Sequence, residues 1–144
     1  MLTTTLIATT LIAFAFAAAS VRRIPEGQVY SVRRLGRAPS LLAAGTHVVL
    51  PMIDRVAHKI DLGGQVLRFD GGTVYWQVLE PEAADEVIDD APELIRSNVV
   101  AALRDSSTAH QIDRRAFGTQ LKHAVNGSLR SRGMLVTRVE LDAA

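Results

Sequence analysis

The segment from Leu2 to Val21 contains no charged residue and no proline. Twenty helical residues at about 1.5 Å each span about 30 Å, which matches the hydrocarbon thickness of a bilayer. The five threonines in the segment can donate their hydroxyls to carbonyls one turn back, so they oppose insertion only weakly. The pattern predicts a membrane-spanning helix over residues 1–21, followed by a domain that covers residues 22–144.

Arg22 and Arg23 directly follow the apolar segment and predict its orientation. Because basic residues favour the cytoplasmic side, we expect the domain to be cytoplasmic. The expected location is single-pass in a bacterial-type inner membrane, and a periplasmic domain is the alternative that the resemblance described below would allow. The two arginines are also predicted to bind anionic lipid headgroups at the membrane surface. Their neighbours Arg33, Arg34 and Arg37 are expected to contribute less, because alternation along a strand turns some of them away.

A cleaved signal peptide is the other interpretation of the apolar segment. Leu6 to Phe16 would be its apolar core, and Ala17-Ala18-Ala19 fits the small-x-small cleavage pattern. A signal peptide normally begins with basic residues, and residues 1–5 contain none. The sequence therefore favours an uncleaved anchor.

Roughly 120 residues follow the apolar segment, which is enough for one domain with a modest hydrophobic core. A hydrophobic content of 48% indicates that this domain is folded. The chain has no cysteine, which excludes disulfides and zinc–thiolate sites.

Alternating apolar positions and β-branched residues predict strands in the first part of the domain. The predicted strands are Gly27–Leu35, Thr46–Leu50, Arg55–Leu62, Gln65–Phe69 and Thr73–Leu79. In the third of these strands His58 falls on the apolar face, where a packed neutral imidazole is expected in preference to a ligand. In the last strand one face is predicted to be shared by Val74, Trp76 and Val78.

The pattern becomes helical after Glu80-Pro81. Pro92 is predicted to open one helix, Asp113 to cap a second, and Gly133 to end the second in a left-handed conformation. A closing strand is predicted at Met134–Leu141, with one face formed by Leu135, Val139 and Leu141. Strands first and helices later indicate an α+β fold, with an antiparallel-dominated sheet and two helices after the transmembrane helix.

The net charge of +1 hides a separation of charge along the chain. Residues 22–68 carry eight basic and three acidic side chains, and residues 94–144 carry eight basic and four acidic ones. Residues 70–93 between them carry eight acidic side chains and no basic one. Such complementary blocks favour packing of one copy against the next. The candidate interaction residues are the acidic cluster, for which a solvated acidic face is the alternative: Asp85, Glu86, Asp89 and Asp90.

Signatures of catalysis are missing from the sequence. It contains no Gly-x-Ser-x-Gly elbow, no Ser-x-x-Lys pair and no phosphate-binding loop. The acidic cluster lacks the glycine-turned loop of a calcium site, and no aromatic residues alternate with the arginines as in nucleic-acid binding surfaces. We therefore expect no enzyme, cofactor, metal or nucleic acid. Metal-ligand spacing with carboxylates is absent around all four histidines, which are His47, His58, His110 and His123.

Three blocks of sequence stand in a specific order after the apolar segment. The first contains Leu-Pro-Met-Ile-Asp-Arg-Val and Lys-Ile-Asp-Leu in tandem, and comprises Ile24–Tyr30, Arg34–Arg37, Leu50–Leu62 and Gln65–Leu67. The second is Val78–Ala84 and the third is Gly133–Leu141. This arrangement resembles the stomatin-like SPFH domain, or band 7 domain, named for stomatins, prohibitins, flotillins and the HflK/HflC pair. The resemblance covers nearly all of residues 24–142.

The chain departs from that family at two points. Between Leu67 and Val74 it is shorter by about one hairpin, and Gly71-Gly72 is predicted to form a tight replacement. The family usually continues into a long charged coiled-coil helix, whereas this sequence ends at Ala144, soon after the predicted closing strand. We therefore expect any assembly to use the faces of the domain and the membrane segment.

The resemblance implies a function based on binding. The chain is expected to be a membrane-anchored scaffold protein that self-associates and organises membrane proteins or lipids. Its expected partners are membrane lipids and further copies of the chain. The likeness to prohibitins and HflK/HflC implies an alternative, a regulatory adaptor subunit of a membrane-bound ATP-dependent protease. A shortened relative that no longer assembles is a further alternative.

Overall fold

The computed structural model describes residues 2–106 and 114–142. The chain divides into two compact units, Met1–Lys59 and Ile60–Ala144. It is an α+β chain with an apolar N-terminal helix and antiparallel sheets, which confirms the predicted fold class at that level.

The first unit begins with helix α1 (Leu2–Ser20), as the apolar segment predicts. Residues 2–19 are exposed, and by length and composition alone the helix is long and apolar enough to cross a membrane. Threonine hydroxyls in the helix donate to backbone carbonyls as expected, at 2.8 Å from Thr5 to Leu2 and at 2.8 Å from Thr10 to Leu6. These bonds leave fewer hydroxyl donors on the apolar surface.

The strands of the first unit form two sheets. Strand β1 (Val21–Ile24) pairs with β4 (Gly45–Val48), and the second sheet has the order β3–β2–β5. In that second sheet, β2 is Gln28–Arg34, β3 is Ser40–Leu42 and β5 is Asp54–Asp61. The predictions for β2, β4 and β5 are confirmed within one or two residues. Strands β1 and β3 were not predicted, because they are short and lack an alternating apolar pattern.

The second unit contains one antiparallel sheet of order β6–β7–β8. Strand β6 (Gln65–Phe69) and strand β7 (Gly72–Val78) form a hairpin, and β8 (Met134–Leu141) pairs with β7 on its other side. The hairpin turn is the two-residue Asp70-Gly71, in which Gly71 has a φ of 112°. A glycine suits this turn because a side chain is strained at positive φ.

Helices follow β7 in the second unit. A short helix α2 (Pro81–Ala84), which was not predicted, precedes α3 (Ala91–Ser106) and α4 (Arg114–Leu129). One 3₁₀ turn, Arg130–Arg132, extends α4 and ends at Gly133, whose φ of 69° confirms the predicted left-handed stop. The predicted cap Asp113 lies outside the described residues.

The predicted inner face of β8 was wrong at Leu135. Leu135 pairs with Gln77 on the opposite face, because a bulge across from Tyr75 and Trp76 leaves Thr137 outside the pairing register. An extra residue in one strand reverses the alternation of side chains beyond it. Val74, Trp76 and Val78 share one face of β7, as predicted, and all three are buried. On that same face of the sheet, β8 contributes Met134, Val136, Val139 and Leu141.

Candidate functional site

The predicted membrane-surface residues Arg22 and Arg23 lie where helix α1 passes into strand β1. Both are exposed, and their register partners on β4 are His47 and Thr46. The backbone N–H of Val49 donates to the carbonyl oxygen of Ser20 at 2.7 Å, so the strand pairing continues onto the last residue of the helix. The two arginines therefore lie just after a helix end that is held by the hydrogen bond between Val49 and Ser20.

A tight turn at Leu50 follows directly after this junction. The N–H groups of Ile53 and Asp54 donate to the carbonyl oxygen of Leu50 at 3.1 and 2.8 Å, and the Leu50 N–H donates to Asp54 Oδ2 at 3.0 Å. Pro51 suits the turn because its ring presets φ at the position after Leu50. The Asp54 carboxylate thus accepts a hydrogen bond from the backbone N–H at the start of the turn that precedes it.

Arg34 at the end of β2 forms a two-point ion pair with Asp54 at the start of β5. The distances are 2.5 Å from Arg34 Nε to Asp54 Oδ1 and 2.8 Å from Nη2 to Oδ2. The Asp54 side chain is only 2% exposed. The hydrogen bonds from Arg34 and from the Leu50 N–H lower the pKa of Asp54 to about 2, and the same pair raises the pKa of Arg34.

The four acidic candidates lie between α2 and α3. Asp85 is buried, and its backbone N–H donates to the carbonyl oxygen of Pro81 at 2.9 Å. Glu86, Asp89 and Asp90 are exposed, and the Asp90 carbonyl oxygen accepts the Leu94 N–H at 2.9 Å in the first turn of α3. The structure therefore keeps three of the four side chains at the surface and turns the fourth inward.

The histidines occupy scattered positions. The Nε2 atom of His47 on β4 lies 2.8 Å from the carbonyl oxygen of Ala43, which is in the connection between β3 and β4. His58 on β5 is half-buried, His123 on α4 is exposed, and His110 lies outside the described residues. Within residues 2–106 and 114–142, no group of three or more histidine, aspartate and glutamate side chains is arranged to hold a metal ion.

No known family model matches this sequence. The resemblance to stomatin-like domains therefore stays a prediction.

Sequence reasoning missed the Arg34–Asp54 pair. In the sequence, Arg34 belongs to the basic group near the membrane segment, and Asp54 belongs to the Leu-Pro-Met-Ile-Asp-Arg-Val block. The two residues are 20 positions apart on different strands, so no local spacing rule connects them. The sequence does contain one indication of an ion pair at Asp54. Asp54 is the only acidic residue between Gly27 and Ile60, a stretch that carries four arginines.

Proposed function

We propose that this protein is a membrane-anchored scaffold that self-associates and organises membrane proteins or lipids. The observation that carries the proposal is helix α1, whose residues 2–19 are exposed and free of charge. A helix that is apolar on all sides needs either a lipid environment or other apolar helices around it. Both environments are available to a membrane scaffold.

The distribution of charge supports self-association as the mode of action. Exposed Arg22 and Arg23 belong to a basic stretch, whereas exposed Glu86, Asp89 and Asp90 belong to an acidic one. Opposite charges on different parts of the chain can orient one copy against the next. Anchoring in one membrane raises the effective concentration of the copies, so that individually weak contacts suffice.

The resemblance to stomatin-like domains supports the same proposal independently of charge. We include in it that residues 22–144 form a shortened SPFH-type domain on the cytoplasmic side of the membrane. Proteins of that family typically scaffold membranes and assemble with copies of themselves.

Energy transfer between two labelled populations of the full chain, reconstituted together in vesicles, tests self-association. We expect transfer above the level of random crowding, and a marked loss of it in the variant E86K/D90K. The variant E26K/D142K makes the same change of charge at two other exposed residues and should retain the transfer. Random-level transfer in the wild-type protein would overturn the proposal. Co-purification of an ATP-dependent protease with a monomeric chain would instead support the adaptor function.

A further inference from the structure

Three large apolar side chains are exposed together in the first unit. Leu35, Met52 and Ile53 are 90, 85 and 49% exposed, respectively. They lie on two turns, one after β2 at residues 35–37 and one before β5 at residues 50–53. We call these two turns the turn pair. Single exposed apolar residues are ordinary, but a cluster of them at turn tips marks a binding surface.

The turn pair is held together by the contacts around Asp54. The Leu35 N–H donates to the carbonyl oxygen of Ile53 at 3.3 Å, which joins the two turns directly. The Asp54 carboxylate, next to Ile53 in the chain, accepts hydrogen bonds from the Arg34 side chain and from the Leu50 N–H. These hydrogen bonds therefore fix the backbone of the two turns that carry Leu35, Met52 and Ile53.

The turn pair lies at the end of helix α1. Val49, which donates to the Ser20 carbonyl oxygen at 2.7 Å, immediately precedes the turn at Leu50, and both Ser20 and Val49 are buried. Met52 follows Val49 by three residues, so its Cα lies within about 11 Å of the Val49 Cα along the chain. If α1 spans a bilayer, this limit keeps the tips within reach of the headgroup region where the helix emerges.

Positive charge surrounds the apolar tips. Arg33, Arg37 and Arg55 are exposed and line one open groove together with the turn pair. The acidic residue of the groove, Asp54, already bonds Arg34. Apolar tips within a basic rim match a surface that is apolar below and anionic at its headgroups.

We propose that the turn pair is a second membrane contact, which inserts Leu35, Met52 and Ile53 into the leaflet where α1 ends, while the surrounding arginines bind anionic lipid headgroups. This inference rests on the anchoring included in the proposed function. Its consequence is that the first unit is fixed against the membrane at two places, the helix and the turn pair.

Single-cysteine labelling of the full chain tests this contact, because the natural sequence has no cysteine. An environment-sensitive fluorophore is attached at M52C, in vesicles of phosphatidylcholine and phosphatidylglycerol that contain spin-labelled lipid. The matched control is V66C on β6, since Val66 is also a large apolar residue and is 61% exposed. We expect blue-shifted emission and several-fold stronger quenching at position 52 than at position 66.

Further labels and variants separate the possible outcomes. A label at A13C in α1 reports the anchor: quenching at 13 without quenching at 52 overturns the turn-pair contact alone, whereas no quenching at 13 overturns the proposed anchoring. Adding L35S/I53S or R33Q/R37Q to M52C should reduce the quenching, and the arginine effect should require phosphatidylglycerol. A blue shift at 52 without lipid quenching, rising with protein density and lost in E86K/D90K, would assign the surface to a second copy and overturn the proposal.

Discussion

The side-chain amide of Asn126 on α4 bonds both backbone groups of Val136 on β8. The Val136 N–H donates to Asn126 Oδ1 at 2.7 Å, and Asn126 Nδ2 donates to the Val136 carbonyl oxygen at 3.0 Å. These two backbone groups point away from β7, as the free groups of an outer strand do. Asn126 therefore takes the place of a neighbouring strand at this point of the sheet and covers part of its edge.

Removing this amide should destabilise the second unit. In N126A the buried N–H and carbonyl of Val136 lose their partners, so we expect a loss of about 2 kcal/mol or more in the free energy of unfolding. Denaturant unfolding followed by fluorescence measures it, because Trp76, the only tryptophan, pairs with Val136. The control N98A removes a bond from Asn98 to Leu94 within α3 and should change stability by less than about 0.5 kcal/mol. Equal losses in both variants would contradict this role of Asn126.

Two glycines at the end of α4 should respond in opposite directions to alanine. Gly133 has a φ of 69°, and a Cβ there would overlap the carbonyl oxygen of Glu80. G133A should therefore destabilise the protein by about 2 kcal/mol or more. Gly127 lies within α4 with open space around it, so G127A should stabilise by up to about 1 kcal/mol. A neutral G133A in the Trp76 unfolding assay would show that the contact with Glu80 is not tight.

The low pKa of Asp54 predicts a dependence of stability on pH. The folded value is about 2 and the ordinary value is 3.8, so between these values the unfolded chain binds more protons than the folded one. The stabilising contribution is thus complete above about pH 4 and is lost as the pH falls through 2. Pepsin cleavage within residues 28–59 should approach the rate seen in D54N as the pH is lowered from 4 to 2. A constant ratio of the two rates across that range would contradict the ion pair.

The geometry of the Arg34–Asp54 pair predicts that charge alone is not sufficient. R34K keeps a positive charge but replaces the planar two-point donor by a single ammonium group. We expect R34K to lower the thermal unfolding midpoint by several degrees and to speed protease cleavage of the turn pair. R33K changes the adjacent exposed arginine and should leave both measurements unchanged. If R34K behaves like R33K, the two-point contact is unimportant.

Much of the chain's secondary structure was predictable because its signals are local. Strand β8 was predicted with its observed ends, since Gly133 stops the helix before it and apolar residues recur within it. The exposed helix α1 follows equally directly from an uncharged apolar run. Strands β1 and β3 carry too few apolar residues in alternation to be recognised.

Contacts between residues on different strands and helices were not predictable, including the contact that organises the candidate site. The pairing of Arg34 with Asp54, and of Asn126 with Val136, depends on which strands and helices become neighbours. The prediction of the wrong face for Leu135 has a similar origin. The bulge at Thr137 depends on the pairing of β8 with β7 and not on the sequence of β8 alone. Arg22 and Arg23 were easier to place, because their position follows from the end of an apolar helix.

The mass of the native particle tests the central claim of self-association most directly. The full chain would be extracted in a polymer that retains lipid, and its mass measured without dissociation. We predict a discrete homo-oligomer, with a mass that is an integer multiple of the chain mass. A monomer at all protein concentrations would contradict the scaffold function.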